Sequence, residues 1–176
     1  MSGHSKWKQI KHKKAKSDAQ KSKIFSKYSK FITQEAKKAK GNLNDPALKA
    51  VIDRAKAENM PNDSIDRAVK KATTDTSAML EAITYEAYGP GGCALIIEAL
   101  TENRNKAAQE VKHILSDHGL SLAGIGSASW AFKKTATGWE PQTTIPLSPE
   151  DETSLKNIIE ALEDNDEVQE VFTNAE

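Results

Sequence analysis

The side chains of this sequence that most clearly favour a chemical partner are the lysines near its beginning. Residues 1–40 contain thirteen lysines and no arginine, against two acids, Asp18 and Glu35. An ammonium group attracts phosphate as a point charge, whereas bidentate reading of a guanine edge favours arginine. This end of the chain is therefore expected to bind a polyanion such as nucleic acid, with weak preference for base sequence.

The predicted contacts to nucleic acid lie in a basic arm, residues 1–20, and on the helix that follows it. Trp7 could stack on an unpaired base or pack against the arm's own helix, and the residues leave both open. His4 and His12 have no cysteine or acid cluster beside them, so a metal site is not expected. For the lysines on the helix, the alternative is a face that is solvated and binds no partner. The predicted contacts are His4, Lys6, Trp7, Lys8, Lys11, Lys13, Lys14, Lys16, Lys21, Lys23, Lys27, Lys30 and Lys37.

Charge is separated along the chain, although its formal net charge is zero. Residues 41–75 hold six basic and six acidic side chains, and residues 76–176 hold six basic and seventeen acidic ones. The acidic end would be repelled by the partner that the basic end attracts, so one end only is expected to meet the polyanion.

Catalytic chemistry is not indicated by the remaining motifs. No nucleophile and base, metal cluster or cofactor fingerprint stands out, so we expect no enzyme, no cofactor, no metal and no small-molecule substrate. Cys93 lies in an apolar run and reads as a small core residue. The segment 164–166 lacks the glycine of a calcium loop. The turn 89–92 lacks the lysine and hydroxyl of a phosphate-binding loop.

Three residues remain as candidate contacts to a partner, namely Tyr88, Arg104 and Asn105. Tyr88 alternates in face with Tyr85, so one of the two rings is expected at the surface. Arg104 and Asn105 are not required for the helix cap that Asn103 can form.

The sequence also suggests a compartment. No apolar run approaches the length of a membrane span, and no secretory or arginine-rich presequence is visible. A cytoplasmic protein without membrane contact is expected.

The first half of the chain predicts a three-helix domain over residues 21–75. The first helix begins near Lys21 and stops at Gly41, with its apolar side chains opposite Lys23, Lys27, Lys30 and Lys37. Asp45-Pro46 restarts the helix, and the segment 59–63 separates a second helix from a third. Residues 73–77 read as a linker.

Residues 78–176 predict an α+β domain, a ferredoxin-like α/β sandwich in which one sheet carries two helices on a face. Alternating residues 83–88 and the apolar run 93–100 predict a hairpin. Asn103 and Ser148 are expected to cap the two helices. Further strands are predicted through Ala128, Trp130 and Phe132, through residues 139–147 at an edge, and over Val168–Phe172.

Several longer strings are more specific than composition alone. They are Gly3-His4-Ser5-Lys6-Trp7, Lys23-Ile24-Phe25, Asn59-Met60-Pro61, residues 85–92 (YEAYGPGG), residues 101–105 (TENRN) and residues 162–172 (LEDNDEVQEVF). Together they resemble the YebC/PmpR family, and the similarity runs nearly from end to end.

The resemblance implies a cytoplasmic, non-enzymatic regulator of gene expression. The family is described as DNA-binding transcriptional regulators, some members as ribosome-associated translation factors, and mitochondrial relatives as translational activators. Its fold is a helical domain followed by two α/β domains, one inserted within the other.

This sequence departs from the family pattern in two places. Phe132-Lys133-Lys134 is followed almost at once by Ile145-Pro146-Leu147, so the inserted domain is expected to be absent. Lys30-Phe31 stands where an Arg-Glu pair is expected, which keeps the positive charge and loses bidentate geometry.

Two functions therefore compete. A regulator of double-stranded DNA agrees with the family description, although no helix-turn-helix recognition helix stands out. A ribosome-associated factor contacting ribosomal or transfer RNA agrees with lysines that read phosphate and shape.

Overall fold

The computed structural model describes residues 16–136 and 138–176, which form two compact units, residues 16–80 and 81–176. The first unit is helical and the second combines a sheet with helices. The predicted fold class, α+β with an N-terminal three-helix domain, is confirmed.

Helix α1, Asp18–Lys38, begins three residues before the predicted start. Ser17 and Gln20 form a capping box: the Ser17 hydroxyl accepts from the Gln20 N–H at 3.3 Å, and the Gln20 side chain accepts from the Ser17 N–H at 2.9 Å. These bonds satisfy backbone donors that the first turn leaves open, so the helix extends to Asp18.

Helices α2, Pro46–Ala57, and α3, Asn62–Thr74, complete the first unit. Asp45 caps α2 as predicted, since its carboxylate accepts from the N–H groups of Ala47 and Leu48, each at 3.0 Å. The three helices share one buried apolar cluster, and its members are Ile32, Ala36, Leu48, Val51, Ala55, Met60, Ile65 and Ala68.

Two buried polar residues of α1 fix its neighbours. The Thr33 hydroxyl donates to the carbonyl of Ala68 on α3 at 2.9 Å. The Gln34 side chain, 3% exposed, donates to the Leu80 carbonyl at 3.2 Å and accepts from the Leu80 N–H at 3.1 Å. The segment after α3 is thereby attached to the C-terminal half of α1.

The second unit is built on four antiparallel strands, which are β1, Glu81–Tyr88, β2, Ala94–Thr101, β3, Leu122–Ala123, and β6, Val168–Thr173. Their order in the sheet is β3-β1-β2-β6. A short 3₁₀ turn over Pro90–Gly92 joins β1 to β2, as the glycines predicted. The two-residue strand β3 was not predicted, because it is too short to show an alternating pattern.

Both helices of this unit pack on one face of the sheet. Helix α4, Arg104–Asp117, is capped by Asn103, and α5, Pro149–Asp164, by Ser148 with proline at its first position. Alternate residues of β2, such as Leu95 and Ile97, face these helices and are fully buried among them. The predicted sandwich with two helices on a face is confirmed.

The opposite face is covered by a hairpin that the sequence did not predict. Among the residues that the structure describes, strands β4, Phe132–Thr135, and β5, Gly138–Pro141, pair with each other and with no other strand. Ile96 and Phe172 from the large sheet pack against this side of the molecule. The Glu98 carboxylate accepts from Lys134 Nζ at 2.9 Å and from Trp139 Nε1 at 2.7 Å, which attaches the hairpin to β2.

Two strand predictions were wrong. Ser129–Ala131 forms a 3₁₀ turn instead of a strand, so that Ala128 and Ala131 are both buried and Trp130 points outward. The alternation of Ala128, Trp130 and Phe132 was misleading because only Phe132 belongs to a strand. The predicted edge strand ends at Pro141, and beyond it Ile145 makes an isolated bridge to Ala175.

Candidate nucleic-acid interface

The predicted contacts divide between residues that the structure describes and residues that it does not. Seven lie outside the described residues, namely His4, Lys6, Trp7, Lys8, Lys11, Lys13 and Lys14. The other six, Lys16, Lys21, Lys23, Lys27, Lys30 and Lys37, lie in the helical unit on α1 or just before it.

Helix α1 is long for the domain that it belongs to. It has 21 residues, against 12 in α2 and 13 in α3, so it extends about 12 Å further than either. Its buried residues are confined to Ile32, Thr33, Gln34 and Ala36, in the C-terminal half. In the N-terminal half, residues 18–22 and Ser26 are exposed and the others are half-buried.

That N-terminal half carries a row of lysines. Lys23, Lys27 and Lys30 are half-buried and, at 100° per residue, lie within an arc of about 60° along one side over about 10 Å of helix. Phe25 and Tyr28 pack against the core of the unit from another side of the helix. Lys21 is exposed on a different side from the row. We call Lys23, Lys27 and Lys30 the lysine row.

Lys37 lies on the same side of α1 as the lysine row, but its ammonium group is bonded to other residues of the helical unit. Its Nζ lies 3.0 Å from the Asp75 carboxylate and donates to the Ser77 carbonyl and hydroxyl, each at 3.3 Å, and its side chain is 11% exposed. Hydrogen bonds from the hydroxyl and N–H of Ser77, followed by that from Lys37, hold the pKa of Asp75 well below its usual range. The charge of Lys37 is thus compensated locally.

Two more lysines have acidic partners inside the helical unit. Lys16 forms an ion pair with Glu58, which follows α2. Lys38 lies 2.8 Å from the Glu35 carboxylate, one turn back on α1. Even so, residues 16–80 contain fourteen basic and eight acidic side chains, whereas residues 81–176 contain six basic and seventeen acidic ones.

The candidate partner contacts lie in the second unit and are not brought together. Arg104 is exposed and pairs at 2.9 Å with Glu81, the first residue of β1, while Tyr88 is the last residue of that strand. Seven residues of strand separate Glu81 from Tyr88, about 24 Å. Asn105 is exposed in the first turn of α4, beside Arg104.

The structure adds a loop that the sequence did not indicate. The carboxylate of Glu86, 6% exposed, accepts from the N–H groups of Gly126 at 2.6 Å, Ala128 at 2.9 Å and Ser129 at 2.6 Å. Burial alone would raise the pKa of Glu86, but these backbone hydrogen bonds outweigh it and the pKa is lowered. A charged side chain is therefore used to fix the loop.

Side chains of this loop and its surroundings are unusually exposed. Ile125 is 100% exposed and Trp130 61% exposed. The Trp130 indole N–H donates to the Tyr88 hydroxyl at 3.1 Å, and that hydroxyl donates to the Ser127 carbonyl. The only sequence signal for this arrangement was an isoleucine between two glycines, at residues 124–126, which is a poor place for a core residue.

The described residues give little support to other kinds of functional site. Among residues 16–136 and 138–176, no three His, Cys, Asp or Glu side chains are grouped so as to hold a metal ion. Cys93 is fully buried, and burial raises the pKa of its thiol. A notch of about 270 Å³ opens beside β1, lined in part by Ile83, Tyr85 and Arg104. No helix in the described ranges is both long and apolar enough to span a bilayer.

Comparison with protein families gives matches over almost the whole chain. The TACO1/YebC protein N-terminal domain matches residues 5–75, and the TACO1/YebC second and third domain matches residues 80–137 and 133–175. The chain belongs to the TACO1/YebC family. The resemblance stated from the sequence motifs is confirmed.

Relatives of this family are similar over the full chain. A probable transcriptional regulatory protein of Thermoanaerobacter pseudethanolicus is 37% identical, covering 100% of this chain and 97% of the relative. One of Brachyspira hyodysenteriae is 45% identical, covering 98% of this chain and 70% of the relative. The crystal structure of a conserved hypothetical protein, Aq1575 from Aquifex aeolicus, superposes with a TM-score of 0.79 at 29% identity, covering 98% of this chain and 97% of that one.

The comparisons also show where this chain lacks residues that longer relatives have. The alignment with the Thermoanaerobacter relative has 239 positions, 63 more than the 176 residues of this chain, so at least that many positions have no counterpart here. The two matches to the second and third domains overlap at residues 133–137, a range that begins within β4 and ends immediately before β5. This agrees with the expected absence of an inserted domain at that place.

Proposed function

We propose that this member of the TACO1/YebC family is a non-enzymatic, cytoplasmic regulator of gene expression that binds nucleic acid through the lysine row and the residues preceding α1. The observation that carries the proposal is the separation of charge between the two units, with the lysine row toward the N-terminal end of α1. The naming of the relatives as probable transcriptional regulatory proteins supports a role in gene expression.

We expect the protein to recognise the phosphates of a nucleic acid rather than its bases. On the N-terminal half of α1 the basic side chains are all lysine, which acts as a point charge and lacks the planar fork that reads a guanine edge. The excess of acids in residues 81–176 disfavours binding of that unit along a phosphate backbone. Affinity should therefore vary little between sequences and strongly with salt.

A second candidate is a ribosome-associated translation factor that contacts ribosomal or transfer RNA. The all-lysine composition of the row favours it, because structured RNA is recognised mainly through shape, phosphates and 2′-hydroxyl groups. The names of the relatives favour the first candidate, a regulator that binds duplex DNA.

The proposal is tested by reversing the charge of the lysine row. The triple variant Lys23→Glu, Lys27→Glu, Lys30→Glu is compared with Lys49→Glu, Lys56→Glu, Lys70→Glu, which makes the same net change at exposed lysines of α2 and α3. Binding to labelled duplex DNA and to an RNA hairpin is measured by fluorescence anisotropy over a range of salt concentrations.

We expect the first triple to weaken binding equally on all sequences. The slope of log K against log salt should flatten by about 0.9 for each phosphate contact that is lost. The control triple should retain most of the slope. Equal effects of the two triples would mean that only net charge matters, and unchanged binding by the first triple would contradict the proposal.

The two candidates are separated by competition and by sedimentation. A footprint on one DNA sequence that survives excess competitor DNA supports the transcriptional candidate. Co-sedimentation with ribosomes that survives DNase and is lost with RNase supports the translational one.

A further inference from the structure

Three large side chains stand exposed at one place in the second unit. Tyr88, at the end of β1, is 39% exposed, and it is hydrogen-bonded to Trp130, which is 61% exposed. Ile125, in the same loop, is 100% exposed. Single exposed apolar residues are ordinary, but a group of them on one loop marks a contact surface. We call Tyr88, Ile125 and Trp130 the platform.

The platform is held in a fixed arrangement. The three hydrogen bonds to Glu86 fix the backbone at Gly126, Ala128 and Ser129, and the Ser127 N–H donates to the Gly124 carbonyl at 3.1 Å. Burying a carboxylate is costly unless its oxygens are satisfied, so the Glu86 contacts order the loop strongly. Binding to a preorganised surface avoids the entropy of ordering it.

The polar edges of both aromatic rings are already used. The Trp130 indole N–H donates to the Tyr88 hydroxyl, which itself donates to the Ser127 carbonyl. Neither ring therefore needs a hydrogen-bonding partner from outside. What the exposed rings still offer is their faces, which suits stacking better than polar recognition.

The loop that carries Ile125 and Trp130 lies in the longest stretch of the second unit that has no acidic residue. No Asp or Glu occurs between Asp117 and Glu140, whereas Lys133 and Lys134 do occur there. The charge of Glu86 is compensated by the loop N–H groups. A phosphate near the platform would meet less repulsion than elsewhere on this unit.

We infer that the platform binds an unpaired base of a single-stranded nucleic acid, by stacking on Trp130 and Tyr88. The inference rests on the proposed function and extends it from phosphate attraction to single-stranded segments. Stacking on an aromatic face accepts any base, in agreement with an interface that has few base-reading groups. A base is favoured as the occupant because the satisfied polar edges leave the ring faces as the contact, and a ring face can stack on any base. Binding of a protein instead is an outcome of the test below.

The test measures binding of a labelled single-stranded oligouridylate, the same strand with abasic sites, and a duplex of equal length. The variants are Trp130→Ala and Trp130→Phe in the full chain. Leu43→Ala, which removes an apolar side chain 59% exposed in the helical unit, is the matched control. Because Trp130 is largely exposed, its replacement should leave the fold intact, which the circular dichroism spectrum checks.

We expect Trp130→Ala to weaken binding of the intact single strand by about 5- to 150-fold, the range that corresponds to the stacking of one base. Duplex binding should not change, and Trp130→Phe should recover most of the loss because it restores a ring. The abasic strand should bind the parent chain and Trp130→Ala alike.

The outcomes separate this inference from the proposed function. If the lysine-row triple loses all binding while Trp130→Ala binds the single strand as the parent does, the platform inference is wrong and the loop is left as a surface for protein. If the lysine-row triple binds every probe normally, the proposed function itself fails.

Discussion

Glu86 and Ser129 are 43 residues apart in the chain, yet the Glu86 carboxylate accepts a hydrogen bond from the Ser129 N–H at 2.6 Å. The same oxygen accepts from Ala128, and the second oxygen accepts from Gly126. One side chain on β1 therefore determines the path of the loop that carries Ile125 and Trp130. Three predictions concern this loop or its neighbours in the second unit.

Replacing Glu86 by glutamine should destabilise the second unit. The amide keeps the shape but loses the negative charge and one acceptor, and its NH₂ group would face backbone donors. Loss of charge-assisted hydrogen bonds in a buried place is expected to lower the free energy of unfolding by about 1.5–3 kcal/mol. Urea unfolding measures this, with Glu102→Gln at an exposed position as the control. An equal effect of the two variants would contradict the role given to Glu86.

The same carboxylate predicts a dependence of stability on pH. Because the folded-state pKa of Glu86 is lowered, its contribution is fully present above the pKa of the unfolded chain, about 4.3, and is lost as pH falls through the lowered value. The difference in Tm between the parent and Glu86→Gln should therefore be largest near neutral pH and shrink below about pH 4. A difference that stays constant down to the most acidic conditions would exclude this linkage.

Gly138, at the start of β5, is expected to tolerate no side chain. Its φ is +134°, and a Cβ atom there would lie 2.5 Å from the ring of Phe172, which is 8% exposed. Gly138→Ala should lower the free energy of unfolding by about 2–4 kcal/mol through strain and overpacking. Gly92→Ala isolates the backbone contribution, since its φ is +79° and no atom lies within 4 Å of the added Cβ. It should cost about 1–2 kcal/mol.

In the helical unit, Gln34→Met should remove hydrogen bonds at nearly constant volume. The Leu80 carbonyl and N–H would lose their side-chain partners, at a cost of about 1–3 kcal/mol. Gln109→Met, on the exposed side of α4, changes the same chemical group without such contacts and serves as the reference. Equal unfolding midpoints in urea for the two variants would show that the bonds to Leu80 do not stabilise the unit.

Asp75→Asn should increase the affinity for nucleic acid. The substitution removes the negative charge that lies 3.0 Å from Lys37 Nζ, so the charge of Lys37 is no longer compensated, while the Ser77 oxygens still accept hydrogen bonds from it. The salt slope should steepen by up to about 0.9 if Lys37 then meets a phosphate. Asp66→Asn, an exposed acid of α3, makes the same change in net charge. A steeper slope with both variants would attribute the effect to net charge alone.

The helices that could be predicted from the sequence are those whose ends are marked by residues a few positions apart. Asp45, Asn103 and Ser148 cap helices through bonds to residues two or three positions away, and each was recognised from the sequence. The capping box at Ser17 was equally local, yet the lysines around it favoured an arm, and the start of α1 was placed three residues late. The turn at Ser129–Ala131 was missed because three alternating residues resemble a strand.

The candidate site was less predictable than the fold. The lysine row follows from helical spacing alone, so the sequence was sufficient. The engagement of Lys37 depends on Asp75, 38 residues away, and the platform depends on Glu86, about 40 residues before the loop that it holds. Pairings at such separations leave no periodic trace in a single sequence, and only the folded chain reveals them.

The hairpin tip between Thr135 and Gly138 has a consequence for how this family changes length. These two residues face each other across the hairpin, where paired Cα atoms are about 5 Å apart. Any module whose two termini lie side by side can be grafted there, or excised, without altering the strands on either side. The same position would accept a fluorescent reporter in place of the segment that longer relatives carry.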